Sequence, residues 1–284
     1  MKYRDYIDRC NSNDLGSYIP LTFGDHKLGY LRDSFAPILS AWNELFSVTP
    51  ARVELIAHGE GIEERSRAWN GMLRELVQQG TLAYLMGEPY PVTPAGREQT
   101  LFVIDRAAAP LFGIRAFGQH INGFVRAADG LKLWVGKRSA DRRNFPGKLD
   151  HLVAGGLPYG SSLEANLVKE CWEEAGVPAE MARRAVSTGA VTYMAESSRG
   201  LKPDTLYCYD LELPADFLPC CTDGEVEGFE LWPVEQVMEV LQEGPSFKLN
   251  CNLVIIDFLI RHGYIAPDDE DYLYLVNGLH PILP

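Results

Sequence analysis

The sequence holds six cysteines, and no two are spaced C-x-x-C, so neither a zinc knuckle nor a disulfide framework is indicated. Cys220 and Cys221 are adjacent, a poor arrangement for an ordinary bridge, and reduced thiols in a cytoplasmic setting are expected. Positive charge is scarce: 26 Lys and Arg face 39 Asp and Glu, a formal net charge of -13. That balance excludes a platform for polymeric nucleic acid, which needs a basic surface. It leaves room for a small phosphorylated ligand held by a few local cations. No apolar run approaches the roughly 18 residues of a membrane span, and residues 1–15 show no apolar core of signal-peptide type. There is no G-x-S-x-G and no G-x-x-x-x-G-K-[ST], which argues against a serine hydrolase elbow and a P-loop.

What remains is ample for a folded core: 284 residues, 46% of them hydrophobic, enough for one large domain or two ordinary ones. In the first part, 19–23 and 27–31 read as strands around the Gly24-Asp25 turn. Residues 34–46 carry apolar side chains at helical spacing, with Ser34 as N-cap. A second helix is expected over 65–79, with Trp69, Met72, Leu73, Leu76 and Val77 as its core stripe and Gly80 as its terminator. Pro89, Pro91 and Pro94 mark 90–96 as a loop, and 101–104 is a short buried strand. A domain boundary is placed near 115, dividing the chain into 1–115 and 116–284. Strands at 117–127 and 131–137 flank Asp129-Gly130, a hairpin signal. A strand follows at 150–154. Beyond it lie strands at 190–196, 205–213 and 229–233, helices at 234–243 and 249–261, and a tail, 264–284, expected to pack on the body. The class is α/β. His120 and Asn122 share one strand face and read as structural groups, with a weak claim to the substrate site.

The stretch 155–177, GGLPYGSSLEANLVKECWEEAGV, passes from glycines into a helix. Glu170, Glu173 and Glu174 lie three and four residues apart, hence on one face. Such carboxylates repel unless a cation neutralises them, and oxygen-only ligands suit Mg²⁺ or Mn²⁺ rather than Zn²⁺. Glu-x-x-Glu-Glu is common on solvated helices; the glycine loop before it and Gly176-Val177 after it give it meaning. Ser161 with Glu164 three residues on forms a capping-box pattern at the helix start, and Leu163, Leu167 and Val168 are expected to face the sheet.

These residues resemble the Nudix box: Gly155 takes the box glycine, and 169–177 takes its Arg-Glu-U-x-Glu-Glu-x-Gly-U end, U being aliphatic. Two positions depart. Ser161 stands for the first box glutamate and Lys169 for the box arginine. In the family those two commonly pair and orient the loop, so the departures concern loop support more than chemistry. Glu164 either caps the helix or substitutes for the missing glutamate. The resemblance implies an α/β/α sandwich with a mixed sheet, here preceded by a smaller α+β domain. It implies hydrolysis of a diphosphate with Mg²⁺, Mn²⁺ also serving. Glu170, Glu173 and Glu174 would be ligands and catalytic groups, with the Gly155 carbonyl as a further ligand. Arg138 and Lys148 are the preferred phosphate cations of a set that includes Arg142 and Arg143. Glu225 or Glu227 would add a base or ligand.

The wider stretches 134–139, 145–150, 153–157 and 166–171 resemble a Nudix branch with an extra N-terminal domain, labelled thiamine pyrophosphokinase-like. That branch implies thiamine diphosphate or its oxidised derivatives as substrate, cleaved to the monophosphate plus phosphate, with the N-terminal domain shaping substrate choice. Nucleoside diphosphates, including oxidised ones, are the competing substrates, and a catalytically weak Nudix-fold binding protein the competing class. The partner is a small diphosphate, with no membrane and no nucleic-acid polymer; a homodimer is compatible with the sequence.

Overall fold

A computed structural model of the chain describes residues 1–56 and 61–283. In chain order the elements are α1 (Tyr3–Cys10), β1 (Tyr18–Phe23), β2 (His26–Arg32), β3 (Phe46–Val48), β4 (Val53–Leu55), α2 (Ile62–Gln78), β5 (Pro89–Val92) and β6 (Phe102–Asp105). Then come β7 (Ala116–Ala127), β8 (Gly130–Arg138), β9 (Leu149–Asp150), β10 (Val153–Gly156), α3 (Leu163–Ala175), α4 (Ala179–Ala182), β11 (Val186–Ser197) and β12 (Gly200–Glu212). β13 (Val226–Pro233), α5 (Val234–Glu243), α6 (Cys251–Arg261) and α7 (Tyr272–Gly278) complete the chain.

The N-terminal part is a sheet of order β2-β1-β4-β3 with a separate β5–β6 pair, covered by α2. Trp69 of α2 is its centre, stacked on Phe102 and edge-on to Phe46 and Phe112. Residues 36–42 differ from the expected helix: they form a 3₁₀ helix, Ala36–Trp42, and the Ser34 cap is absent, the cap position falling on Phe35. The buried residues Ala36, Leu39 and Trp42 recur every third position, a stripe that a 3₁₀ helix satisfies directly. The expected 90–96 loop also begins as a strand, β5, antiparallel to β6. Its prolines are tolerated because the two-stranded ribbon has an edge that needs no ladder N–H.

The larger sheet runs β11-β12-β7-β8-β13, with β10 on β7 and β9 on β8. It is mixed: β12 and β7 are parallel, the other pairs antiparallel. The period-two alternation of β12 separates two cores. Leu206 and Cys208 face α5, α6 and α7, while Leu211 joins Ile121 and Val125 under α3 and α4. Helices on both faces of one mixed sheet make the α/β/α sandwich that the sequence implied. The first helix departs from the expected division of the chain. Tyr6, Ile7 and Cys10 are buried in the core of the second part, and the Tyr6 hydroxyl donates to the Leu241 carbonyl at 2.5 Å. The tail packs there too, through Leu275 and Leu279, with Pro284 outside the described residues. Among the described residues no helix is long and apolar enough to cross a membrane.

Asp210 on β12 ties α6 to this sheet. It accepts from Arg261 at 2.6 and 3.0 Å, from Asn122 at 3.1 Å, and lies 2.9 Å from His262. Burial pushes its pKa up, but these partners, Arg261 foremost, outweigh that and hold it below the ordinary carboxyl value. A depressed folded pKa means stabilisation that is complete above about pH 4 and lost as the pH falls through the folded value. Asp210→Asn is expected to cost about 2 kcal/mol at pH 7. In thermal melts across pH, the gap from wild type should narrow below pH 4; a gap that stays constant would contradict the assignment.

Candidate active site

The box loop runs off β10, and α3 carries it back against the sheet. Leu167, Cys171 and Ala175, four apart, bury one face of α3 in the core; Glu174 lies buried beside them, and Glu170 and Glu173 are held together by Lys169. Leu163, expected in the core, is instead exposed at the first turn. Gly176 ends the helix in the left-handed region at φ 63°, and its N–H donates to the Trp172 carbonyl at 2.9 Å. A Cβ at Gly155 would meet the Glu170 carboxylate, which would have to move aside. That collision places Glu170 against the Gly155 backbone.

The three carboxylates sit in different surroundings. Glu174 is buried and accepts one hydrogen bond, from the Ala154 N–H at 2.9 Å. Burial, with Asp150 and Glu170 adding to it, pushes its pKa up to about 8. Burial raises Glu170 too, against the pull of Lys169. Lys169 bridges Glu170 at 3.0 Å and Glu173 at 2.7 Å. Burial opposes the Lys169 charge, but its two carboxylate partners outweigh it and raise its pKa. The cation that relieves the acidic face in this state is therefore the residue at the box-arginine position. The carboxylates of the three glutamates do not close into a trio within 4.8 Å, since Glu174 turns inward while Lys169 draws the other two. A buried carboxyl with a single donor, beside a second carboxyl and a backbone glycine, is a donor set that fits a hard divalent cation.

Several sequence expectations change here. Arg138 is buried, its guanidinium bound to Asp150 at 2.8 Å and to the carbonyls of Phe145 and Asn144 at 3.3 Å. It braces the 139–148 loop and is not free for a phosphate. Lys148 donates to the Pro245 carbonyl at 2.6 Å. The cations that stand beside the acidic groups are Lys169 and Arg142, the latter 2.8 Å from Glu225. Glu225 and Glu227 do not share a face, because the register of β13 shifts between Val226 and Gly228. Glu225 acts electrostatically on Glu170, whereas Glu227 pairs with Lys137 at 3.1 Å.

The helix cap is also corrected by one residue. Ser162, not Ser161, is the N-cap, its hydroxyl accepting from the Ala165 N–H at 3.1 Å. Glu164 is one position too early to complete a capping box, and it pairs with Arg183 at 3.0 Å on the surface instead. Support for the loop comes from elsewhere. Asn166, fully buried, donates to the Gly156 carbonyl and to Gln119 Oε1, both at 2.9 Å. Arg97, from the N-terminal part, donates to the carbonyls of Pro158 at 2.6 Å and Ser161 at 3.2 Å. The Tyr159 N–H donates to the Pro89 carbonyl at 2.7 Å. A Cβ on Gly156 would lie 2.5 Å from the Tyr90 hydroxyl and 2.8 Å from Arg106. The N-terminal part thus clamps the loop where the box usually uses its own Glu and Arg pair. Neither Arg97 nor Asn166 carries a spacing signal that sequence reasoning could use.

Two outcomes are expected. Ser162→Ala should cost about 1 kcal/mol of stability, and Glu164→Ala less than that, as an exposed pair; the reverse order in denaturant melts would restore the earlier cap. Arg97→Ala should lower turnover of a diphosphate by about 10- to 100-fold through a misplaced loop. An unchanged kcat in the Ala variant would remove the clamp from the account.

Comparison with known proteins places the chain in a family. A domain of unknown function, DUF4743, matches residues 2–116, and the NUDIX domain matches residues 118–250. The chain is 45% identical over 285 residues to Nudix hydrolase 20, chloroplastic, of Arabidopsis thaliana, covering 96% of this chain and 76% of that protein. It is 32% identical over 292 residues to an uncharacterised Saccharomyces cerevisiae protein, covering 95% of this chain and 84% of that one. Among solved structures, DR0079 of Deinococcus radiodurans covers 60% of this chain and 98% of its own, at 20% identity and a TM-score of 0.45. By the NUDIX match over residues 118–250 and the 45% identity to the Arabidopsis protein, the chain belongs to the Nudix hydrolase family, whose members cleave diphosphate bonds.

Proposed function

We propose that this Nudix hydrolase cleaves thiamine diphosphate or its oxidised derivatives, taking up water and releasing the monophosphate and phosphate. The observation that carries the reading is the acidic face of α3, flanked by Lys169 and Arg142 and closed on one side by a loop that the N-terminal part holds. The residue stretches that resemble the thiamine pyrophosphokinase-like branch support the choice of substrate. Glu170, Glu173, Glu174 and the Gly155 carbonyl would hold Mg²⁺, or Mn²⁺. When bound, the ion neutralises the bridging diphosphate oxygens and lowers the pKa of water.

The chain's own groups have separable tasks in this reading. Lys169 and Arg142 release their carboxylate partners and turn to the phosphate oxygens. Glu174 holds a proton at neutral pH until a positive charge arrives beside it, because burial sets its pKa at about 8. Glu225 sits within electrostatic reach of Glu170 and is the later acidic residue best placed to take a proton from water. The N-terminal part covers the loop side of the cleft and shapes substrate choice.

A substrate panel with Mg²⁺ tests the reading. Phosphate release should be fastest from thiamine diphosphate or its oxidised forms, and Glu174→Gln should reduce it on the order of 100-fold. Comparable rates on nucleoside diphosphates with none on thiamine diphosphates would overturn the substrate and leave the hydrolase. Tight ligand binding without turnover on any diphosphate would favour a binding protein.

A further inference from the structure

Behind the acidic face lies a second group of potential ligands. His120 on β7, His151 between β9 and β10, and Cys251 at the start of α6 each present one donor atom, and these atoms all lie within 4.8 Å of one another. The three side chains are buried, with relative exposures of 2%, 5% and 0%. The imidazoles meet edge-on with centroids 5.0 Å apart. His120 Nδ1 and His151 Nε2 are buried without a hydrogen-bond partner. Buried polar atoms are almost always satisfied, so two orphaned ring nitrogens beside one thiol need an explanation.

We propose that His120, His151 and Cys251 bind a single zinc ion, separate from the cation of the α3 carboxylates. Two imidazoles and a thiol are the borderline-soft donors that select Zn²⁺, whereas the oxygen-only face of α3 suits Mg²⁺. A tetrahedral zinc site sets its donor atoms about 3.3–3.5 Å apart, so a group spread over as much as 4.8 Å must close by about 1–1.5 Å.

The fourth donor comes from Asp150. Its Oδ1 is 2.7 Å from Cys251 Sγ, and its Oδ2 accepts from Arg138 at 2.8 Å and Lys248 at 3.3 Å. Asp150 takes up both neighbouring cations and accepts the thiol proton's hydrogen bond. On binding, that proton leaves to solvent, the thiolate joins the zinc, and Asp150 Oδ1 takes the fourth position. Since β10 runs from this cluster to the Ala154 N–H that holds Glu174, the zinc would fix the strand that supports the catalytic face.

Metal analysis and cobalt substitution test this. The full chain, purified without chelator, should hold about one equivalent of zinc after dialysis. Exchange with Co²⁺ should give thiolate-to-cobalt charge-transfer absorption and the visible bands of a tetrahedral site. Cys220→Ser with Cys221→Ser, which removes the adjacent pair, should retain those bands, and so should Glu170→Gln. Cys251→Ser should lose the charge-transfer band while circular dichroism stays native. Folded wild-type protein that shows no thiolate–cobalt band overturns the proposal, as does a band that survives in Cys251→Ser. If Cys251→Ser does not fold, His151→Gln provides the second variant. Loss of the tetrahedral bands there supports the site, and their retention overturns it.

Discussion

Glu174 is a carboxyl buried against β10 with one hydrogen bond to satisfy it, and much of the site answers to that single cost. Leaving an ion in such a place is expensive unless a counter-charge arrives, so the group keeps its proton until one does. The surroundings keep the counter-charge available without filling the place permanently. Lys169 is held by Glu170 and Glu173, not by Glu174. Lys248 and Arg138 are both taken by Asp150. The result is an acidic face that is electrostatically incomplete on one side, and that side is where the glycine loop passes.

With no side chains at Gly155 and Gly156, the end of β10 can approach the Glu170 carboxylate closely, and the loop that leaves it must be held in place. The structure transfers that task. Asn166 grips the Gly156 carbonyl from inside α3, and Arg97 grips two carbonyls from the N-terminal part. This accounts physically for Ser161 and Lys169 at box positions where a paired Glu and Arg are usual. With the loop clamped from outside, Lys169 is free to bridge the acidic face. The N-terminal part is therefore joined to the loop beside the acidic face by direct hydrogen bonds.

Helical spacing is local, so the placing of Glu170 beside Glu173 was legible in the sequence, whereas the turn of Glu174 into the interior, onto the Ala154 N–H, was not. The α/β class was legible in the order of strands and helices, and the sandwich came with the resemblance to the box; β7 is buried along most of its length and declares no single face. Long-range pairing was not legible. Arg138 looks like a free cation until its partner Asp150 is seen, and Arg97 meets Pro158 across 61 residues. The Ser161 cap failed by one position because two serines stand together and the backbone chose the second. Residues 36–42 failed because a three-residue stripe serves a 3₁₀ turn as well as an α-helix. His120 was read as structural, and it is buried; its unpartnered nitrogen shows only when His151 and Cys251 come beside it.

The central claim is that the incomplete acidic face of α3 is a divalent-cation site. Mn²⁺ binding at pH 7, followed by electron paramagnetic resonance of the free ion, tests it most directly. The account predicts saturable binding to the wild-type chain, accompanied by proton release into the buffer and lost in the Glu174→Gln variant. A wild-type chain that binds no Mn²⁺, or a variant that binds it as tightly, would contradict the account.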